Sequence, residues 1–343
     1  MHSRERGRKS REQGAYAFLS QIDPQASMVA LDQDASNRRY YRVSGAKHPS
    51  LLMDCPPGVE RLGQFIHVAS FLSELGLAVP NVYEFDEESG YALIEDLGTN
   101  TFTRLLGQSA DQDDDVAEIL YRMAVDTLVC IHKQVDDVPG SFPDYLAEKM
   151  ADAACLMLDW YIPAITNEAV SEDTRLDYRE AWLDVLSSAS EHTTLVLRDY
   201  HVDNLLLCDG KQGVARCGVI DFQDAARGPR LYDLVSLLED ARRVVSPELK
   251  LAMQAYYAQQ MGTKLNDEFE AQFASLAAQR HSRVAGVFVR LAKRDGRTHY
   301  LDHLPLVVSL MASAFEHPNL ERPKAILDTL CPTWRGSQPL LKR

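Results

Sequence analysis

The chain has little that would tie it to a membrane, a nucleic acid or an oxidising compartment. None of its apolar runs approaches the roughly 18 residues needed to span a bilayer. Basic residues are outnumbered, 36 Lys and Arg against 50 Asp and Glu, for a formal charge of −14. That balance argues against general binding of nucleic acid or anionic lipid, which depends on clustered cations, and leaves room only for a local basic cleft. The six cysteines, Cys55, Cys130, Cys155, Cys208, Cys217 and Cys331, contain no C-x-x-C pair. Scattered through apolar stretches, they read as free thiols of a reducing cytosol. The basic stretch Met1 to Arg11 is followed by no hydrophobic segment, so it is not a secretory signal and reads as a solvated tail.

What is present is an ordinary globular composition, 45% apolar and 25% charged, over 343 residues. That length suggests two domains or lobes. The first hundred residues are strand-rich: Arg39 to Val43, Ser50 to Asp54, Asn81 to Asp86 and Tyr91 to Glu95, the last two joined by Glu87-Glu88-Ser89-Gly90 as a hairpin. Between them Phe65, Val68, Ala69, Leu72 and Leu75 repeat at helical spacing and predict a helix from Leu62 that stops at Gly76. After Gly98 the pattern turns helical. Val116, Leu120, Met123, Ala124, Leu128 and Ile131 share one face of a helix within 111–137, whose acidic start suits a helix N-terminus. Leu195 to Arg198, Leu205 to Cys208 and Cys217 to Ile220 read as short buried strands, and the chain is mostly helical from Tyr232. The expected architecture is α+β and bilobal: a flexible tail at 1–14, a small sheet-rich lobe at 15–97, a hinge near Leu93 to Gly98, and a larger helical lobe at 98–343.

One stretch carries chemistry. Asp199 and Asn204 form a D-x-x-x-x-N spacing after an apolar strand, and Asp221-Phe222 follows seventeen residues after Asn204. Phosphoryl transfer from ATP needs a carboxylate beside the attacking hydroxyl and oxygen ligands for the Mg²⁺ that bridges the phosphates. A loop with Asp and Asn five residues apart offers both, and a carboxylate at the end of the next hairpin completes the metal site. The order resembles the catalytic loop and D-F-G segment of protein kinases. The continuation Asp221-Phe222-Gln223 through Gly228-Pro229 to Asp233-Leu234 resembles the aminoglycoside phosphotransferase family. That resemblance implies a bilobal protein-kinase-like fold, with Asp199 as catalytic base, Asn204 and Asp221 as metal ligands, and Asp233, with Arg198, supporting the catalytic loop. Read alone, Asp233 is equally a helix N-cap. The family motif usually begins H-G-D; here it is Leu197-Arg198-Asp199.

Further segments narrow the resemblance to the bacterial anomeric kinases of N-acetylmuramate and N-acetylglucosamine. They are Asp34 to Arg42, Met53 to Pro57, Ile94 to Gly98, Arg198 to His201, Arg290 to Gly296 and Tyr300 to Pro305. The likeness spans roughly residues 15 to 330. It implies a cytoplasmic, monomeric enzyme of peptidoglycan recycling that uses ATP and Mg²⁺ to phosphorylate the sugar C1 hydroxyl. The loop ending at Arg38 would cover the phosphates through Ser36 and Asn37, without the glycine-rich pattern of protein kinases. The strand Leu51-Leu52-Met53 lacks the usual phosphate-pairing lysine, which makes Arg38 and Arg42 its candidate replacements. Glu95 and Leu97 would offer hinge backbone to adenine. Tyr200, His201, Asp203, Arg283 and Arg290 are the candidate acceptor contacts, the arginines suiting the carboxylate of N-acetylmuramate. Two other readings remain open: a kinase of another small acceptor such as an aminoglycoside, choline, homoserine or another sugar, and a regulatory ATP-binding pseudokinase.

Overall fold

The computed structural model describes residues 2–31, 38–108, 114–189, 192–337 and 339. In chain order the elements are α1 His2–Ile22, β1 Ser27–Ala30, β2 Arg39–Ser44, β3 Ser50–Asp54, α2 Leu62–Glu74, β4 Val82–Asp86, β5 Tyr91–Glu95, α3 Phe102–Gln108, α4 Asp114–Gln134 and α5 Ala147–Ala154. There follow a π-helical turn at Met157–Tyr161, α6 Ile162–Thr166, α7 Glu172–Ala189, β6 Thr193–Val196, β7 Leu205–Leu207, β8 Cys217–Val219, β9 Ala226–Pro229, α8 Tyr232–Leu238, α9 Pro247–Met261, α10 Asp267–Asp295, α11 Leu304–Ala314 and α12 Glu321–Leu330. No described helix is long and apolar enough to cross a membrane.

The chain divides into two compact units, 1–113 with 203–223, and 114–202 with 224–343. The division differs from a single cut after residue 97, because the β7–β8 hairpin belongs with the sheet. Leu207 N donates to Asn100 O at 2.9 Å and Val219 N to Ala78 O at 2.8 Å, so the hairpin is tied to the residues flanking α2 and α3.

The first unit is an antiparallel sheet in the order β1-β2-β3-β5-β4. Alternation along β2 separates its two faces: Tyr41 and Val43 on one, Tyr40 and Arg42 on the other. The first face joins Leu52, Tyr91 and Leu93 against Ala15 and Leu19 of α1. Here the structure corrects the expectation of a flexible tail. Helix α1 begins at His2, and Arg11 is docked. Its Nε donates to Asp54 Oδ1 at 2.9 Å, its Nη1 donates to Ser89 O at 2.7 Å, and its guanidinium lies 4.2 Å from the Tyr91 ring centre. Asp54 is fully buried, so burying it requires this cation. Gly14 permits the approach: a Cβ there would sit 2.3 Å from the Tyr91 hydroxyl.

The second unit is helical, with α10 at its centre against α11, α5, α7, α8 and the π-helical turn. Asn266 caps α10 by accepting from Phe269 N at 3.1 Å, and Gly296 ends it in the left-handed region. Gly286 lets the helix touch backbone: a Cβ there would lie 2.2 Å from Leu156 O. Strands β6 and β9 pair antiparallel and deliver the chain to Leu197 and to Tyr232.

Candidate active site

In the first unit a cavity of about 330 Å³ lies beside the second face of the sheet. Its walls are apolar: Leu51 and Ile94, directly paired across β3 and β5, with Leu31, Tyr40, Phe65 and Pro80. Leu206 and Ile220 come from the β7–β8 hairpin, Glu95 to Gly98 form its edge, and Asn204 and Asp221 supply polar groups. A greasy slot with a few fixed polar groups suits a flat heterocycle carrying a charged tail. Glu95 and Leu97 line this cavity, and the Glu95 carboxylate is engaged by Asn81 and, at 3.6 Å, by Lys211 Nζ. Gly98 N donates to Asp96 Oδ1 at 2.9 Å, which shapes the exit from β5.

Asn204 and Asp221 flank the open end of the hairpin, joined by Ile220 N donating to Asn204 O at 3.0 Å. Asp221 has φ +59°, a left-handed conformation rare outside Gly, Asn and Asp. Such strain persists only where the surroundings over-determine it, and it clusters at functional sites. Phe222, fully buried, stacks on Phe65 with ring centres 5.1 Å apart and pins the residue that follows the strained carboxylate. Asp221 Oδ1 accepts from Gln223 Nε2 at 2.9 Å.

Of the proposed phosphate ligands, Ser36 and Asn37 lie outside the described residues. Arg38 is 6% exposed and donates to Glu60 Oε2 at 3.2 Å. Burial opposes its charge, yet Tyr40 and Glu60, with Asp221 beyond, hold its pKa above the ordinary arginine value. Arg42 is partly exposed and donates to Asp96 Oδ2 at 2.9 Å. Met53, fully buried and paired with Tyr40, lies on β3, the strand Leu51-Leu52-Met53 that carries no lysine.

In the second unit the loop after β6 is built around Asp233. This carboxylate is fully buried; Oδ2 accepts from Leu197 N at 2.5 Å and Oδ1 from Arg198 N at 2.9 Å. It lies in the first turn of α8, after the cap residue Leu231, so it is a brace for the loop and not the N-cap. Burial, set against those two bonds, raises its pKa to about 7. Arg198 has φ +72°, and its guanidinium sits 4.5 Å from the Tyr145 ring centre while Nη1 donates to Asp224 O at 3.4 Å. Asp199 is half-buried. Burial acts to raise its pKa, but Arg283, His201, Arg198 and Arg280 outweigh it and hold the carboxyl below the usual range. Asp199 is thus an anion at neutral pH, favoured chiefly by Arg283.

The expected acceptor contacts fare unequally. Tyr200 is 1% exposed and its hydroxyl donates to Ala124 O at 2.9 Å, so it is a packing residue and the expectation of substrate contact is corrected. His201 is 6% exposed, with Arg242 Nη1 3.3 Å from Nε2; burial, then Arg242, depress its pKa. Asp203, in the first unit, accepts from the Thr103 hydroxyl. Arg283 and Arg290 lie half-buried on α10, where Arg283 is the strongest positive influence on Asp199. Three further residues escaped the sequence reading: Glu60, Arg280 and Tyr145. Arg280 was legible, because the helical spacing of Arg283, Arg290 and Arg294 extends back to it. Glu60 and Tyr145 stand in loops, where no periodicity marks them.

The donor set fits Mg²⁺. Asn204 and Asp221 offer hard oxygens beside a cavity, and Mg²⁺ takes one or two protein ligands with phosphate and water completing its shell. Among the described residues no group of three or more His, Cys, Asp or Glu forms a cage that would hold a metal without substrate.

Fold and loop together define a kinase-like phosphotransferase. The model of the Phosphotransferase enzyme family (APH) matches residues 27–305, and the chain belongs to that family. The N-acetylmuramate/N-acetylglucosamine kinase of Pseudomonas aeruginosa is 32% identical over 82% of this chain and 82% of its own length. The kinase of the same name from Caulobacter vibrioides is 30% identical over 94% of this chain and 97% of its own. Among solved structures, a choline/ethanolamine kinase family protein from Mesorhizobium loti covers 93% of this chain and 99% of its own at TM-score 0.61 and 14% identity. The ADP-bound aminoglycoside phosphotransferase APH(2'')-Ib covers 88% and 98% at TM-score 0.58 and 15% identity. At such identities these two speak for the fold alone.

Proposed function

We propose that the protein transfers the γ-phosphoryl group of ATP to the C1 hydroxyl of N-acetylmuramate, N-acetylglucosamine or both, releasing ADP and a sugar 1-phosphate for cell-wall recycling. The observation that carries this reading is the 30–32% identity, over four-fifths or more of both chains, to kinases named for these two sugars. The residues of the site support it.

Adenine would occupy the apolar cavity of the first unit, against Glu95 to Leu97, with Arg38 and Arg42 on the phosphate side. Asn204 and Asp221 would hold Mg²⁺, which neutralises charge on the phosphates. Asp199 orients the C1 hydroxyl. As the sugar oxygen bonds to the γ-phosphorus and the bond from phosphorus to the β–γ bridging oxygen breaks, the hydroxyl proton passes to Asp199 and then to solvent. The depressed pKa makes Asp199 a weak base in the ground state, so it positions first and takes the proton late. Arg198 and Asp233 fix the loop that presents it. Catalysis is then positioning and electrostatics, which suits phosphoryl transfer.

The test is Mg-ATP consumption with each sugar as sole acceptor, the product read by phosphorus and proton NMR. A phosphate on C1 is expected. Measurable ATP binding with no turnover on either sugar would move the assignment to another acceptor.

A further inference from the structure

Helix α10 carries an arginine stripe. Arg280, Arg283, Arg290 and Arg294 fall at i, i+3, i+10 and i+14, one face of a 3.6-residue helix. Their surroundings differ along it. Arg280 is 3% exposed and donates to Glu239 O. Arg283 is half-buried; Tyr232, Tyr145, Asp199 and Asp224 outweigh burial and raise its pKa, and of these Asp199 and Asp224 are the anions at neutral pH. Arg294 is 58% exposed and bound to Asp295 by two hydrogen bonds. Arg290, between them, is half-buried, and its Nε is shielded from solvent without a hydrogen-bond partner. Among the described residues no carboxylate lies within ion-pair distance of it. Burial, Arg294 and Arg283 all press its pKa down, while Asp295 alone pulls the other way.

A half-buried guanidinium that has no ion-pair partner among the described residues and is crowded by like charge is a place where an anion binds with gain. Its location says which anion. Arg283 borders Asp199, and Arg290 follows seven residues later, about 10.5 Å further along the axis at 1.5 Å per residue. Half-buried Val287 lies between them on the same face. An acceptor with its reacting hydroxyl at Asp199 and a carboxylate on the far side of its ring would reach Arg290.

On the acceptor reading given above, we infer that Arg290 binds the lactyl carboxylate of N-acetylmuramate and sets the preference for this anionic sugar over neutral N-acetylglucosamine. The two sugars differ by that group, so the ratio of their kcat/KM values is an internal control for folding and for phosphoryl transfer. In Arg290→Ala and Arg290→Gln the N-acetylmuramate value is expected to fall about 10- to 100-fold, the worth of a charge-assisted pair, mainly through KM. The N-acetylglucosamine value should stay within about threefold. Arg290→Lys, which keeps the charge and loses the fork, should recover part of the loss. If both sugars fall alike, or N-acetylmuramate is unaffected, the role of Arg290 is overturned while the acceptor reading stands. A wild-type enzyme that uses only N-acetylglucosamine also overturns it. If only N-acetylmuramate is used, the loss must appear in KM with partial recovery in Arg290→Lys, and a loss confined to kcat refutes it. A wild-type enzyme that uses neither sugar removes the acceptor reading and this inference with it.

Discussion

Replacing Asp233 by Asn separates what this carboxylate does for the loop from what its burial does to stability. The change keeps the shape and removes the charge. One side-chain oxygen still accepts from a backbone N–H, but the amide NH₂ then faces the other. A charge-assisted bond worth about 1.5–3 kcal/mol is lost at the peptide leading into Asp199. Arg198 is held at φ +72°, a conformation costing about 1–2 kcal/mol that relaxes once its brace weakens. Turnover should fall about 10- to 100-fold, since about 1.4 kcal/mol is tenfold. Stability should respond differently. A carboxyl raised from 3.8 to about 7 carries about 4 kcal/mol of linkage. Because the folded pKa is the higher one, that stability is present in full below pH 3.8 and is lost as pH rises through about 7. The variant has no such titration. Its melting temperature relative to wild type should therefore be lower at pH 5 and should recover towards or past wild type by pH 8. Wild-type kcat should also show an acid limb near pH 7 that the variant lacks. Scanning calorimetry from pH 5 to 8 beside steady-state kinetics reads all three. A variant with wild-type kcat, or a melting difference that does not move with pH, would refute the reasoning.

Asp199→Asn should lose at least about a thousandfold in kcat while nucleotide affinity by calorimetry changes less than about threefold, because the group acts on the acceptor. Asp221→Asn should raise the Mg²⁺ concentration for half-maximal rate at least about tenfold, read by metal titration at saturating ATP. Phe222→Ala empties a fully buried site against Phe65 and should cost about 3–5 kcal/mol by denaturant unfolding, far more than an exposed Phe85→Ala. Arg11→Ala leaves Asp54 buried without its cation and should cost about 3–5 kcal/mol; Arg11→Ala combined with Asp54→Leu should recover most of that loss.

The elements that sequence patterning revealed are those whose burial repeats along the chain. Strands β2 to β5 and helices α2 and α4 fell within a few residues of expectation, because one buried face imposes a period of two or 3.6. The elements missed bury little or pair at an edge. Strand β1 has one buried residue in four, and β9 runs through Gly228 and Pro229, which ordinarily mark turns. Helix α1 was read as tail because its anchor is a charge. Arg11 reads as solvated until the buried partner Asp54, 43 residues away, is known.

The same distinction governs the site. Asp199, Asn204, Asp221 and Asp233 were legible because their spacing encodes a loop, a hairpin and a helix start, all local in sequence. For the cations of α10 spacing named candidates but not their separate roles, because those depend on depth. Arg280, Arg283, Arg290 and Arg294 share one helical face, yet the first is buried, the second serves Asp199, and the last is paired in solvent. Packing leaves Arg290 half-buried beside like charge, with no ion-pair partner among the described residues. Spacing along the chain thus marked the candidate carboxylates, whereas the selection of an acceptor rests on how deeply the fold buries each arginine of α10.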